Sequence, residues 1–566
     1  MTDQDGIIIK MDIVIVLTSR YRVIVQGSCL AALMVALSLA GFPSLAAQTT
    51  KAGQTPSHAS SDTQIDALYQ RGMQLLREKR YDDALRQFEL VEEKAPQSPQ
   101  GPNGRGIALA LMGQPGDAIQ ALKKALEIDP NFWVARRELG IVYWSQGLKK
   151  QASEELTPVI RLHPDDAPVN VILGQYHFES NDYSQALACL SHVPGQVSAD
   201  PRLSLIQAEA QLKTGQASAA GKMLSGLVGR AGLTDEQKFQ LGWLLGQTRL
   251  FKKAIEVFRE LPPGSPDFRR NYGLALAYFG DGQYERCTAT LKDLLVRGST
   301  RPEGFSLLGV AEEKSGHTRE AYDAFRQGIL KNPNDAQSYL NIATLSCEHL
   351  NYDLAVQILT SGIERIPDSH ELFLSRGIAY TLKGQFDLAR RDYDSAIGMA
   401  PDDPGAYAAL GVSQLEAGNL EGAISAFEEA SGRGPMDPHP HYFLAEALMQ
   451  KGTTPGTPSF DQALRALETA LSLDPNFAYA YLDRAKLELK AGQQQKAIAD
   501  LERARAADPK SGAIGYLLAQ AYQRNGERAK ADELFARIAK SSRQEALQFR
   551  RNSLTQALVV ISRGDR

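Results

Sequence analysis

Along most of this chain the apolar side chains recur at spacings of three and four, in paired blocks. Between residues 339 and 367 the first block holds Tyr339, Leu340, Ala343 and Leu345, and the second holds Ala355, Ile358, Leu359 and Ile363. That is the period of a helix, whereas a half-buried strand would alternate at every second residue. The first block stops near Asn351, and the second ends before Pro367, which lacks the N–H that a continuing helix needs. The pattern therefore predicts two antiparallel helices joined by a short turn. Glycine often marks that turn, as at Gly113, Gly147, Gly215, Gly282, Gly316, Gly384, Gly418, Gly492 and Gly526. A left-handed helix end costs glycine little.

The helix pairs keep a strict beat. A small residue recurs at Ala84, Ala118, Ala152, Ala186, Ala220, Ala254, Cys287, Ala321, Ala355, Ala389, Ala423, Ala463, Ala497 and Ala531, and eleven of the thirteen gaps are 34 residues, the others 33 and 40. Another small residue precedes each by twelve, for example Gly72, Gly106, Gly309, Gly377 and Gly411, or by eighteen at Ala445. Two helices approach to about 8–10 Å only when the side chains at the contact permit it, so the two small positions mark where the helices of a pair cross. Large apolar residues four positions on (Phe88, Leu122, Leu156, Phe258, Phe325, Phe427, Phe535) are expected to fill the space against the next repeat. Self-similarity at this period is the mark of a stacked repeat array.

The order small residue, aromatic, glycine, aromatic, alanine, large apolar and proline in a 34-residue frame resembles the tetratricopeptide repeat, and Gly377, Tyr380, Gly384, Phe386, Ala389, Tyr393, Ala396 and Pro401 match it almost position for position. The resemblance implies an all-α fold, a right-handed superhelical solenoid. About fourteen repeats start at Ile65, Pro99, Trp133, Ala167, Pro201, Asp235, Phe268, Pro302, Ala336, His370, Pro404, Pro438, Ala478 and Gly512, and cover residues 65–545. Repeats four, five and seven depart from the pattern, with Ser198, Gly232 and Ser299 where the proline belongs. Their local helix ends are open for that reason. Between Gly452 and Phe460 six extra residues include Pro455 and Pro458, which predicts an exposed loop between the helices of repeat twelve.

The two ends read differently. Residues 1–47 carry Arg20 and Arg22, an apolar stretch over 23–40, Pro43 and the small run Ser44, Leu45, Ala46, Ala47. Charge, apolar core and small residues in that order describe a secretory signal cut after Ala46 or Ala47. The apolar 7–17 stretch is odd for the front of a signal, so translation can begin at Met11. The alternative is an uncleaved anchor, because 18 apolar residues just span a bilayer. A lipid attachment at Cys29 fits poorly, since Gln26 stands where an apolar residue belongs. Residues 48–64 form a polar linker expected to be flexible. Residues 546–566, with Leu547, Leu554, Ala557, Leu558 and Val560, are expected to cap the last repeat.

Composition narrows the chemistry. With 62 basic against 66 acidic residues and a net charge of −4, the chain lacks the basic surplus of a general nucleic-acid binder. No phosphate loop, zinc helix or nucleophile elbow occurs. Gly101, Gly104 and Gly106 look like a phosphate-cradling loop, but Gly106 is the helix-crossing residue of its repeat and no strand precedes it. The closest histidines, His439 and His441, do not make the three or four ligands a zinc site needs. Cys189, Cys287 and Cys347 lie in predicted helices of distant repeats, which is no disulfide framework. Cys287 replaces a helix-crossing alanine and reads as a small buried hydrophobe. No catalytic residue, metal ligand or cofactor is therefore expected.

Binding is better founded. In the resembled family the first helix of each repeat lines the inside of the superhelix through its second, fifth, ninth, twelfth and thirteenth positions. Carried onto this chain, those positions hold the aromatic residues Trp144, Phe178, Phe239, Trp243, Tyr272, Phe279, Tyr442, Tyr479 and Tyr516, among charges that include Arg137, Glu209, Lys213, Glu313, Glu446 and Lys486. Aromatic side chains in a concavity are good binding anchors. The alternative is that they tuck between neighbouring helices as core. A version of the family that clamps a C-terminal carboxylate, and one that lines its groove with an asparagine ladder, both fail here, since Asn341 stands alone at the sixth position.

These readings point to a non-catalytic protein-binding scaffold, exported to a bacterial cell envelope and holding an extended or helical partner segment. The partner is a protein of unknown identity, not nucleic acid, and contact with membrane would run only through residues 23–40. The competing readings are a regulatory or assembly subunit of a secretion or polysaccharide-export complex, and an enzyme with a site inside the groove.

Overall fold

A computed structural model describes residues 58–262 and 268–538 of the chain. The signal-like segment 1–47 and the expected cap 546–566 lie outside the described residues. Within them the chain forms twenty-nine α-helices and no strand. Among the described residues no helix is long and apolar enough to cross a membrane. The fold is an all-α repeat solenoid.

Fourteen consecutive helix pairs follow the 34-residue beat. Every expected first-helix start from Trp133 to Gly512 is the first residue of a helix, such as Trp133–Ser145, Pro302–Lys314 or His370–Leu382. The first helix departs from expectation, because it runs His58–Arg77 and so takes in residues 58–64 of the expected linker. The remaining linker residues, 48–57, are not described.

The turn glycines adopt the backbone that only glycine takes freely. Gly384 has φ +73° and Gly418 has φ +76°. In four repeats another residue bears that conformation, namely Lys79, Asn181, Arg249 and Leu350, at φ +59° to +61°. Second helices end as the prolines demand: Tyr352–Arg365 stops two residues short of Pro367. Several first helices begin on polar caps. The carboxylates of Asp166, Asp335 and Asp403 accept the N–H of Val169, Ser338 and Gly405, which satisfies one of the donors a helix start leaves open.

The helix crossing is where the packing argument is sharpest. A β-carbon placed on Gly309 would stand 2.3 Å from the ring of Phe325, and one on Gly411 would stand 2.5 Å from Phe427. Gly106, Gly140 and Gly174 likewise lie against Leu122, Leu156 and Leu190. The large residue therefore fills the hollow over the small residue of its own repeat, not only the space against the next one. Phe88 and Phe258 do both, since Phe88 also lies against Gly104 and Phe258 against Gly273.

Volume is exchanged across this contact. Phe88, Phe258, Phe325, Tyr393 and Phe427 all face glycine, at Gly72, Gly242, Gly309, Gly377 and Gly411. Where the small residue is alanine, at Ala208, Ala275, Ala343, Ala445 and Ala485, the large one is leucine, at Leu224, Leu291, Leu359, Leu467 and Leu501. Repeat fourteen alone opposes Ala519 to a phenylalanine, Phe535, and that ring is only partly buried.

The chain divides into two compact units, residues 58–290 and 291–538 among those described. The first unit holds repeats four, five and six, whose second helices are short. The second helices of repeats four and five, Tyr183–Ser191 and Ala217–Ser225, have only 9 residues against 14 in Tyr352–Arg365. Repeat four then adds a short helix, Pro194–Ala199, that the apolar pattern did not announce. Arg230 ties the long turn after repeat five to it by donating to the carbonyls of Ser198 and Ala199 at 2.8 and 2.7 Å. Repeat six, with Pro266 in place, is also shortened, to 10 residues in Phe251–Glu260. In the second unit the six-residue insertion is absorbed in a way that differs from expectation. Pro458 does not lie in a loop but opens the helix Pro458–Leu473 behind the cap Thr457, since proline is tolerated in a first helical turn. The connecting turn is left with Thr453 buried and Pro455 exposed.

Candidate partner-binding face

The nine aromatic side chains fall into separate groups. In the first unit Phe239 and Trp243 lie one helical turn apart on Asp235–Gln247 and stack at 6.4 Å. Phe239 sets its inner edge against the core ring of Phe258 at 6.0 Å and carries the guanidinium of Arg269 over its other side at 5.2 Å. Both rings are half-buried. Beside them Gln240 donates to Glu209 at 3.2 Å. Burial pushes the Glu209 carboxyl above its usual range, and the bond from Gln240 and the charge of Lys213 only partly oppose it. An aromatic pair with a rim of paired polar groups can desolvate one apolar side chain of a partner and orient the backbone around it.

Tyr272 does not join that pair. It is 1% exposed and stacks on Phe268 at 4.9 Å, so it belongs to the core and not to a binding surface. The cause is its neighbour. Gly273 has no side chain, and a β-carbon there would stand 2.7 Å from Phe258, so this helix approaches repeat six closely and carries Tyr272 inward. Gly104 acts alike on Asn103, which is fully buried.

The other first-unit aromatics sit apart from one another. Trp144 is half-buried, with the Lys149 ammonium 5.5 Å over its ring. Phe178 is half-buried and packs edge-on against Tyr183 at 5.7 Å. Phe279 lies against Tyr284 across the turn of repeat seven at 5.4 Å. In the second unit Tyr442 packs 4.9 Å from Phe477, and burial together with Asp483 and Glu446 holds its hydroxyl well above the usual tyrosine range. Tyr479 is half-buried, pushed up to about 12 by burial and by Asp508. Tyr516 is 51% exposed and touches Phe535 at 5.8 Å.

Among the charged positions, Arg137 is a correction of the same kind as Tyr272. It is buried between Glu138, which it contacts directly, and Asp166 at 2.7 Å, so its charge serves the interior. Sequence reasoning missed the polar seam to which it belongs. Glu138 is 2% exposed, and the Asn103 amide donates to the Tyr69 hydroxyl at 3.4 Å. Burial pushes Tyr69 up to about 12, opposed by Asn103 and assisted by Glu138. The available signal was a polar residue at the fifth or sixth position of three consecutive first helices.

The three described cysteines are buried, and burial pushes Cys347 up to about 12, which keeps its thiol protonated. Among the described residues no group of three or more His, Cys, Asp or Glu is placed to hold a metal ion.

Two family models described as tetratricopeptide repeat match the sequence, one at residues 109–170 and 488–551, the other at 69–131, 374–438, 408–456 and 459–512. The chain is a tetratricopeptide-repeat protein, and repeats of this kind make it a protein-interaction scaffold. No curated protein sequence matches it. Among solved structures it is similar to yeast Tom70, at 19% identity and TM-score 0.39, over 89% of this chain and 98% of that one. It is also similar to a tetratricopeptide repeat protein from Parabacteroides merdae, at 17% identity and TM-score 0.36, over 45% of this chain and 99% of that one. The APC/C hetero-tetramer Cut9-Hcn1 is similar at 16% identity and TM-score 0.35, over 82% of this chain and 99% of that one. Likenesses this remote carry nothing about partners.

Proposed function

We propose that this protein is a non-catalytic scaffold that holds an extended or helical segment of a partner protein along its first helices, after export to the cell envelope. The observation that carries the binding reading is the Phe239–Trp243 pair. Its rings are stacked and half-open, and they are flanked by Arg269, Gln240 and Glu209. Half-buried aromatic rings at this point of a first helix, with polar groups already paired around them, are the make-up of an interface centre and its rim. Trp144, Phe178 and Phe279 are separate candidate contacts in the same unit, and Tyr442, Tyr479 and Tyr516 are candidate contacts of the other unit taken by itself. A partner that spans several repeats gains affinity from modest contacts because they are linked.

The binding reading is tested by capture from a cell-envelope extract with full-length protein and with Trp243→Ala. Truncation of a central aromatic anchor costs on the order of 2 kcal/mol or more, about thirtyfold in affinity. The expected result is loss of one specific partner from the variant. Equal recovery of every captured protein would contradict the reading.

Export rests on the charge, apolar stretch and small residues of 1–47. The mature chain is expected to begin at Ala47 or Gln48, which N-terminal sequencing reads directly. An intact start at Met1 or Met11 on membrane-held protein would favour an anchor at 23–40 instead.

A further inference from the structure

Two repeats of the second unit bury a glutamate at the same place and treat it in opposite ways. Glu312, in the first helix of repeat eight, and Glu488, in the first helix of repeat thirteen, are the eleventh residues of their repeats and are 2% and 9% exposed. Glu312 is met from the preceding repeat by the Lys292 ammonium at 2.6 Å and from its own turn by His317 at 3.0 Å. The residues at the corresponding places in repeat thirteen are Glu468 and Gln493. The lysine has become a carboxylate and the histidine an amide.

The rest of the surroundings deepen the contrast. Arg484, one turn before Glu488 on the same helix, gives both its Nε and Nη2 donors to Asp500 at 2.6 and 2.8 Å. Asp500 is itself 5% exposed. The guanidinium is thus committed to the second helix, and the Oε2 of Glu488 is buried with no hydrogen-bond partner. The groups facing Glu488 are Arg484 on its own helix, Asp500 and Lys496 on the second helix of repeat thirteen, and Glu468 on the second helix of repeat twelve. A buried carboxylate without a partner is costly, while its protonated form costs little.

We propose that repeat thirteen is a pH-responsive joint in the array: protonated Glu488 keeps the helix Ala478–Lys490 seated against repeat twelve and against its own second helix, and loss of that proton loosens the seat. Burial and then Asp500 push the Glu488 carboxyl up to about 7, against Arg484 and Lys496, with Glu468 adding to the rise. At Glu312 burial acts in the same sense, but the bonds from Lys292 and His317 outweigh it and hold the carboxyl below its usual range. The sign follows from proton linkage. A carboxyl raised in the folded state binds more protons there than in the open chain, so stability falls as pH rises from the ordinary carboxylate range to about 7 and stays low above it. Repeat eight has the opposite sign, and its glutamate becomes a liability only in acid. The joint is independent of which partner the array holds.

The test is amide hydrogen exchange of the full-length protein between pH 5 and 8, corrected for the intrinsic pH dependence of exchange. Opening of Pro458–Leu473 and Ala478–Lys490 is expected to rise by about tenfold or more from the acid to the neutral end, while Pro302–Lys314 stays flat. Glu488→Gln is expected to abolish the rise, and Glu468→Lys, which restores the arrangement of repeat eight, to abolish or invert it. The same pH dependence in wild type and in either variant would overturn the proposal, as would an equal rise in repeat eight.

Discussion

At the scale of single residues, one exchange of volume explains most of the interior. In every repeat but the fourteenth an aromatic ring on the second helix is matched by glycine on the first and an alanine on the first by leucine on the second, while leucine also faces glycine at Gly106, Gly140 and Gly174. Gly309→Ala is a sharp probe of that rule. Replacing a helical glycine gains up to about 1 kcal/mol in propensity, but the new β-carbon would lie 2.3 Å from the buried ring of Phe325. Overpacking costs of about 1–3 kcal/mol are expected to win, and denaturant unfolding of the variant reads the net loss. A pair that is already out of match, Ala519 with Phe535, sits at the last described repeat, where the ring is only partly covered. The small residues were legible in the sequence because they recur at fixed spacing. Their exact partners were not, because each large residue has a small one before it in its own repeat and another after it in the next. Tyr272 shows the same limit. Its position matched the pattern for an inward-lining aromatic, yet the missing side chain of Gly273 next to it draws it into the core.

At the scale of elements, helix existence was readable and helix ends were not. Second helices that run up to the proline of the frame, such as Tyr352–Arg365 and Leu420–Arg433, keep 14 residues, whereas Tyr183–Ser191 and Ala217–Ser225 stop after 9. The missing proline signalled trouble in repeats four and five, but repeat six shortens although Pro266 is present. The extra helix Pro194–Ala199 gave no signal of its own, since 6 residues are too few to show a period. In a repeat array stability is roughly a sum of repeat and neighbour terms, so the shortened second helices contribute fewer buried residues and are expected to open first. Hydrogen exchange is expected to label residues 183–233 before residues 386–433. Uniform protection over both stretches would contradict this and would require contacts beyond nearest neighbours.

At the scale of the molecule, the functional account rests on a division of labour between two kinds of first-helix residue. Arg137 and Tyr272 occupy places expected to face inward yet are buried as structure, while Phe239 and Trp243 are half-buried with their polar neighbours paired. That second group is the aromatic pair on which the binding account rests. Trp243 can be watched alone in a Trp133→Phe, Trp144→Phe background, because the chain has three tryptophans. The account predicts that acrylamide quenches Trp243 in the free protein, and that adding the partner captured by the full-length array removes the quenching. A fully shielded indole in the free protein, together with unchanged capture by Trp243→Ala, would contradict it.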